Sequence, residues 1–194
     1  MKLTADILEH THVRLEPMAE RHAAGLRAAC EADQRIWLEI YPYSWAGEHF
    51  QPTWDKLMAD TAAGTTLAFA VIAGDEVVGI TSFYAIDPAN AVVEIGGTYY
   101  QPSARGGAVN PASKRLMMGH AFACGARRVV YRVDAINLRS RAAVLKLGAV
   151  EEALLRQDRV TWTGRVRDTV LFSILADEWP AVRDRLDRRL SAFG

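Results

Sequence analysis

Six consecutive residues, Arg105, Gly106, Gly107, Ala108, Val109 and Asn110, lead into a helical pattern that begins at Pro111. Asn110 is suited to an N-cap and Pro111 to the first helical position. Amides in a first helical turn have no internal partner, and the helix dipole adds positive potential there. Two glycines and an alanine let a ligand approach the backbone closely. The chemistry implied is a phosphate cradle. The spacing is neither G-x-x-x-x-G-K-[ST] nor G-x-G-x-x-G. Taken alone, the loop reads equally well as a turn into a helix.

Glu94 stands in the apolar run Val92, Val93, Glu94, Ile95. Burial there would raise its pKa toward the range useful for proton transfer. The alternative is a solvent-facing strand position, since faces alternate and Glu94 shares its face with Val92 and Gly96. Gly96, Gly97 and Thr98 follow, and glycines inside a strand mark a bulge or close approach of a ligand, or simply relieve packing. Asn137 is a good N-cap, and Ser140 lies one turn further on. Arg105, Lys114, Arg139 and Arg141 are cations available to phosphates, and the first two flank the loop. Trp37, Tyr41, Tyr43 and Trp45 surround Pro42 and could line a pocket or plug the sheet.

His10, His12, His22 and His49 form no metal spacing, and His120 reads as packing, so no metal is expected. Cys124 falls at a helix C-terminus, where the dipole disfavours a thiolate, so a cysteine acyl-enzyme is not expected.

The elements that must position these residues follow from periodicity and punctuation. A strand is expected over 13–17, helices over 19–32 and 52–63, and strands over 67–73, 77–84 and 91–100. A helix over 111–124, a strand over 128–134 and a helix over 137–147 come next, the helices stopped by Gly125 and Gly148. Strands over 149–155 and 169–175, with a bend at 162–164, precede a last helix over 177–190. A meander followed by alternating strands and helices implies an α+β fold around one mixed sheet.

Composition sets the frame. The 194 residues fit one domain, 1–194, and half are hydrophobic, enough for a sizeable core. Lys plus Arg equal Asp plus Glu at 23 each, which gives no electrostatic case for a nucleic-acid or membrane partner. Two distant cysteines, Cys30 and Cys124, are expected to be reduced, and the N-terminus lacks a signal-peptide pattern. A cytoplasmic protein without a membrane span is the expectation.

The run Val93, Glu94, Ile95, Gly96, then the loop 105–110 with Lys114, then Asp134, Ala135, Ile136, Asn137 and Ser140, then Lys146, Leu147, Gly148, Ala149, resembles the GNAT acetyltransferases. Within them it is most similar to the branch of RimJ/RimL-type ribosomal-protein N-terminal acetyltransferases. The resemblance spans 13–190 and includes the tail from Gly164 to Pro180. It implies a mostly antiparallel mixed sheet splayed between its fourth and fifth strands, 91–100 and 128–134, with acetyl-CoA lying in the gap.

The resemblance also distributes roles. The pyrophosphate would rest on Arg105, Gly106, Gly107, Ala108, Val109 and Asn110, with Lys114 nearby, and the pantetheine arm on Asn137. Glu94 would be the base for direct attack of a primary amine, protein N-terminus or small molecule, on the thioester. Gly96, Gly97 and Thr98 would offer backbone amides to the oxyanion or pantetheine. Ser140 would protonate the leaving sulfur. Trp37, Tyr41, Tyr43 and Trp45 would line the acceptor pocket. Ser103 departs from the usual first position of the loop, and Val144 stands where many members carry tyrosine. Those departures keep open an acyl-CoA-binding or sensory protein without turnover. A homodimer is compatible with the resemblance.

Overall fold

The computed structural model describes residues 1–193. The chain opens with β1 (Leu8–His10) and β2 (Val13–Pro17), then α1 (Ala23–Glu31), α2 (Arg35–Glu39) and α3 (Phe50–Ala62). β3 (Leu67–Ala73), β4 (Glu76–Asp87) and β5 (Val92–Tyr100) follow as a meander. Next come α4 (Val109–Ala123), β6 (Arg128–Asp134) and α5 (Leu138–Leu147), then β7 (Val150–Val160), β8 (Val166–Leu175) and α6 (Trp179–Leu190).

The strands form one eight-stranded sheet in the order β1-β2-β3-β4-β5-β6-β8-β7. Every adjacent pair is antiparallel except β5 and β6. The expected α+β mixed sheet is therefore present, extended by β1, which the sequence reading omits. The expected strand ranges 67–73 and 128–134 coincide with β3 and β6. The short segment Arg35–Glu39, read only as aromatic-rich, is a helix.

Side-chain alternation splits the sheet's two faces between two cores. On β3, Phe69 and Val71 join one, and Ala68 and Ala70 the other. The first core gathers Met117, Met118 and Ala121 of α4 and Val182, Leu186 and Leu190 of α6. The second gathers Leu26 and Cys30 of α1, Trp37 of α2 and Phe50 and Trp54 of α3.

The parallel pair sets the shape of the site. Only three rungs join β5 to β6: Val92 to Arg128, Val93 to Val129 and Glu94 to Val130. Beyond Glu94 the two strands part, while β6 stays fully paired to β8 as far as Asp134. The splay falls between the two strands named from the sequence. The edge of β5 from Ile95 onward is left without a strand partner on its β6 side.

Candidate active site

A single cleft of about 1390 Å³ runs through the splay. It reaches from Gly106 and Gly107, past Gly96 to Thr98 of β5 and Asn137 and Ser140 of α5, to Tyr41, Tyr43 and Glu94.

The loop into α4 is shaped by glycine. Gly106 has φ +81°, and nothing lies within 4 Å of the positions a Cβ would take on Gly106 or Gly107. The protein leaves that space open to a ligand. The helix begins earlier than expected: Ala108 is already helical at φ −73°, ψ −23° and serves as N-cap. Asn110 and Pro111 are thus the second and third helical residues, a correction to the reading of Asn110 as cap. Pro111 fits there because a first-turn N–H has no intrahelical acceptor to lose. The amides of Val109 and Asn110 remain in the free first turn, while the side chains of Ala108 and Val109 pack on the core.

Arg105 and Lys114 both line the cleft, and each is also held by partners within the fold. Arg105 Nη1 pairs with Asp33 Oδ2 at 2.6 Å, and Arg105 Nε donates to the Tyr100 carbonyl at 2.7 Å. Its guanidinium also lies 5.3 Å from the centre of the Tyr99 ring. Arg105 braces the loop against the segment after α1 instead of standing free beside it. Lys114 is only 6% exposed. Its Nζ donates to Thr98 Oγ1 at 2.7 Å and Thr81 Oγ1 at 3.4 Å. Burial without a carboxylate partner pushes its ammonium down to about 7. The helical spacing that put Lys114 next to the loop in sequence turns it inward, under the cleft.

The β5 glycines form the expected irregularity. Ile80 faces Tyr99, but Ser82 faces Gly96, so two residues, Gly97 and Thr98, oppose Thr81. Gly97 takes φ +57°, and a Cβ there would lie 2.3 Å from the Tyr84 hydroxyl. Only glycine fits. Tyr41 donates to the Thr98 carbonyl at 2.5 Å and so ties the bulge to the aromatic segment.

Glu94 occupies the mouth of the splay, its side chain 18% exposed. Burial raises its pKa above the ordinary carboxylate value, and the positive charges of Arg132, Arg159 and Arg167 partly restore it. Arg132 Nε stands 3.4 Å from Glu94 Oε2. The carboxyl is neither solvent-facing nor locked in a tight ion pair, which is what a proton acceptor at neutral pH requires.

On the opposite wall, Asn137 caps α5 by accepting from the Ser140 amide at 3.0 Å, and Gly148 closes the helix in the left-handed region at φ +101°. The cap uses Asn137 Oδ1, which leaves the side-chain amide to the cleft. Ser140 lines the cleft from that first turn.

The aromatic segment divides. Tyr41 and Tyr43 line the cleft. Trp37 and Trp45 do not: they are 1% and 3% exposed in the second core. Trp37 Nε1 donates to the Cys30 carbonyl at 3.0 Å, and its ring centroid lies 4.5 Å from that of Tyr99. Their bulk fixes the segment that presents the tyrosines, which corrects the pocket assignment of both.

Two kinds of lining residue were missed. Tyr131 sits in an apolar strand, and its buried hydroxyl has no hydrogen-bond partner among the described residues. Arg132, Arg159 and Arg167 also line the cleft. Alternation along 128–134 was the available signal for Tyr131. The arginines gave none, because three separate strand positions converge only in the folded sheet.

Residues 12–150 match the acetyltransferase (GNAT) domain, so the chain belongs to the GNAT acetyltransferase family. A solved GCN5-related N-acetyltransferase from Brucella melitensis is 32% identical, with 98% of this chain and 90% of that one covered and a TM-score of 0.89. RimJ from Mycobacterium smegmatis, solved with CoA-disulfide, is 26% identical over 95% of each chain, with a TM-score of 0.82. The microcin C7 self-immunity acetyltransferase MccE, solved with acetyl-CoA and AMP, shares the fold at 18% identity and a TM-score of 0.77, covering 86% of this chain and 93% of that one. No curated protein matches the sequence.

Proposed function

We propose that this protein transfers the acetyl group of acetyl-CoA to a primary amine. The observation that carries the reading is the position of Glu94 on the last rung before β5 and β6 part. There a half-buried carboxyl faces the same cleft as the open glycine loop and the α5 cap.

The residues present fit acetyl-CoA. The open space over Gly106 and Gly107, with free first-turn amides beside it, suits a pyrophosphate. The unpaired edge of β5 and the Asn137 side-chain amide suit the amide groups of an extended pantetheine arm. The buried Tyr131 hydroxyl, without a hydrogen-bond partner among the described residues, gives the cleft floor a further polar group. When bound, acetyl-CoA supplies an activated acyl thioester. Glu94 takes the proton of the incoming amine, and backbone amides at Gly96 to Thr98 steady developing negative charge. Ser140, on the opposite wall, returns a proton to the sulfur. Likeness to RimJ at 26% identity supports the RimJ/RimL-like branch; action as one domain in the cytoplasm is part of the same proposal.

The test is thiol release from acetyl-CoA with a panel of amines, comparing the wild type with Glu94→Gln. Turnover that falls in the variant while acetyl-CoA still binds supports the reading. Equal rates would remove Glu94 from the chemistry. Val144, buried where many family members place tyrosine, favours the second reading of acyl-CoA binding without turnover. Binding with no thiol release from any amine would select that one.

A further inference from the structure

Beyond Glu94 the floor of the cleft is cationic. Arg159 of β7 and Arg167 of β8 are directly opposite each other in register. Like charges so placed destabilise a sheet unless an anion compensates them. The protein supplies too few. Asp134 is held by Arg165 at 2.5 Å and reaches Arg167 only at 3.8 Å. Asp158 is divided between Arg159 at 3.4 Å and Arg132 at 3.8 Å. With Glu94 on Arg132, four guanidiniums share three carboxylates.

Arg167 is the least compensated. It is 5% exposed, and its hydrogen bonds go to neutral acceptors, Thr169 Oγ1 at 3.0 Å and the Arg132 carbonyl at 3.4 Å. Keeping a guanidinium buried without a close counterion is costly. The local backbone enforces the arrangement. The β7–β8 register shifts between Leu155 and Arg159, and Gln157 sits at φ +51° with its amide donating to Asp168 Oδ1 at 2.7 Å. Bulges of this kind re-aim side chains beside active sites. The hairpin is also fastened to the aromatic segment: Trp162 Nε1 donates to the Trp37 carbonyl at 2.9 Å, and the Trp162 amide to the Pro42 carbonyl at 3.2 Å. The arginines therefore belong to the end of the cleft that Tyr41 and Tyr43 line.

We propose that Arg159 and Arg167 bind an anionic group, carboxylate or phosphate, carried by the acceptor itself, so that the substrate is a small amine bearing a nearby anion. This rests on the acetyl-transfer reading. Arg132, Arg159 and Arg167 all bear on the Glu94 carboxyl, which sets the anion subsite beside the proton acceptor. An amine and an anion on one small molecule span the two. A planar guanidinium fork matches either oxyanion.

The experiment is thiol release at saturating acetyl-CoA with matched acceptors: alanine against alaninamide, and phosphoethanolamine against ethanolamine. The anionic member of at least one pair is favoured by about tenfold or more in kcat/KM, the range of a charge-assisted contact. The pair that responds tells carboxylate from phosphate. Arg159→Gln narrows that preference to about twofold, mainly through KM, and Arg167→Lys, which keeps a charge in the buried position, narrows it less. Equal use of both members by the wild type, or equal losses for both in Arg159→Gln, overturns the proposal while leaving acetyl transfer standing. A fall in acetyl-CoA affinity in Arg159→Gln also overturns it, by assigning the guanidiniums to the coenzyme. Thiol release from neither member of either pair, while another amine of the panel is turned over, overturns this proposal alone; thiol release with no amine of the panel, with acetyl-CoA bound, removes the acetyl-transfer reading and this proposal with it.

Discussion

Glu94 of β5 faces Val130 of β6 on the last rung before the two strands separate. The final sheet contact thus carries the candidate proton acceptor, and the gap that admits a ligand begins one residue later. Position and protonation are coupled: the packing that holds the rung closed also desolvates the carboxyl and raises its pKa.

Replacing Glu94 by Gln keeps the shape and removes the proton acceptor. We expect kcat to fall about 100-fold or more, with the dissociation constant for acetyl-CoA nearly unchanged. The wild-type rate rises with pH through the Glu94 pKa, since the base must be ionised. Its acid limb lies above the ordinary carboxylate value of about 4.3. A pH profile of kcat/KM checks this, and an unshifted acid limb would contradict it.

Gly97 and Gly107 make opposite predictions. Gly97→Ala forces a Cβ to 2.3 Å from the Tyr84 hydroxyl at φ +57°, so the fold should lose roughly 2 kcal/mol or more, read as a lower urea midpoint. Gly107→Ala meets nothing in the protein, and its thermal midpoint should stay within a degree or two, while acetyl-CoA affinity falls about tenfold as the methyl enters the cradle. Calorimetry and thermal melts on both variants separate the two effects. A destabilised Gly107→Ala with full affinity would contradict the cradle.

Lys114 gives a pH test of stability. Its folded pKa, about 7, lies below the unfolded value of about 10.4. Between the two, the unfolded chain holds a proton that the folded chain does not, so stability rises with pH across that window, and the cost is fully present below it. Lys114→Met removes the titration. It should exceed the wild type by roughly 2–4 kcal/mol at pH 6 and converge toward it by pH 10, measured by urea unfolding. Parallel curves for the two proteins would refute the assignment.

Trp37 tests the corrected role of the aromatic segment. Trp37→Ala removes a ring packed on Tyr99 and a hydrogen bond to Cys30, and should cost about 3–5 kcal/mol. Because Trp37 lies in the core, Trp37→Phe should restore most stability with acceptor preference unchanged. A changed preference would return it to the pocket.

Patterns local to the chain were legible in the sequence, and convergence across the sheet was not. The Asn137 cap, the Gly148 stop and the strands over 67–73 and 128–134 rest on nearest-neighbour geometry, which one sequence displays. The splay between 91–100 and 128–134 is legible only through the resemblance to the GNAT acetyltransferases. By contrast, which tryptophans plug the core and which tyrosines face the cleft depends on how the loop around Pro42 folds over β5. Arg105 and Lys114 look alike beside the glycine loop. Asp33, far away in sequence, claims one, and helix phase buries the other against Thr98. The facing pair Arg159 and Arg167 needs the bulge at Gln157 to come into register, and no local pattern announces it.

Calorimetric titration of the purified, folded protein with acetyl-CoA tests the central claim most directly. The cleft predicts saturable one-to-one binding in the micromolar range. A folded sample that takes up no acetyl-CoA would contradict the account and reduce the loop from Arg105 to Asn110 to a turn.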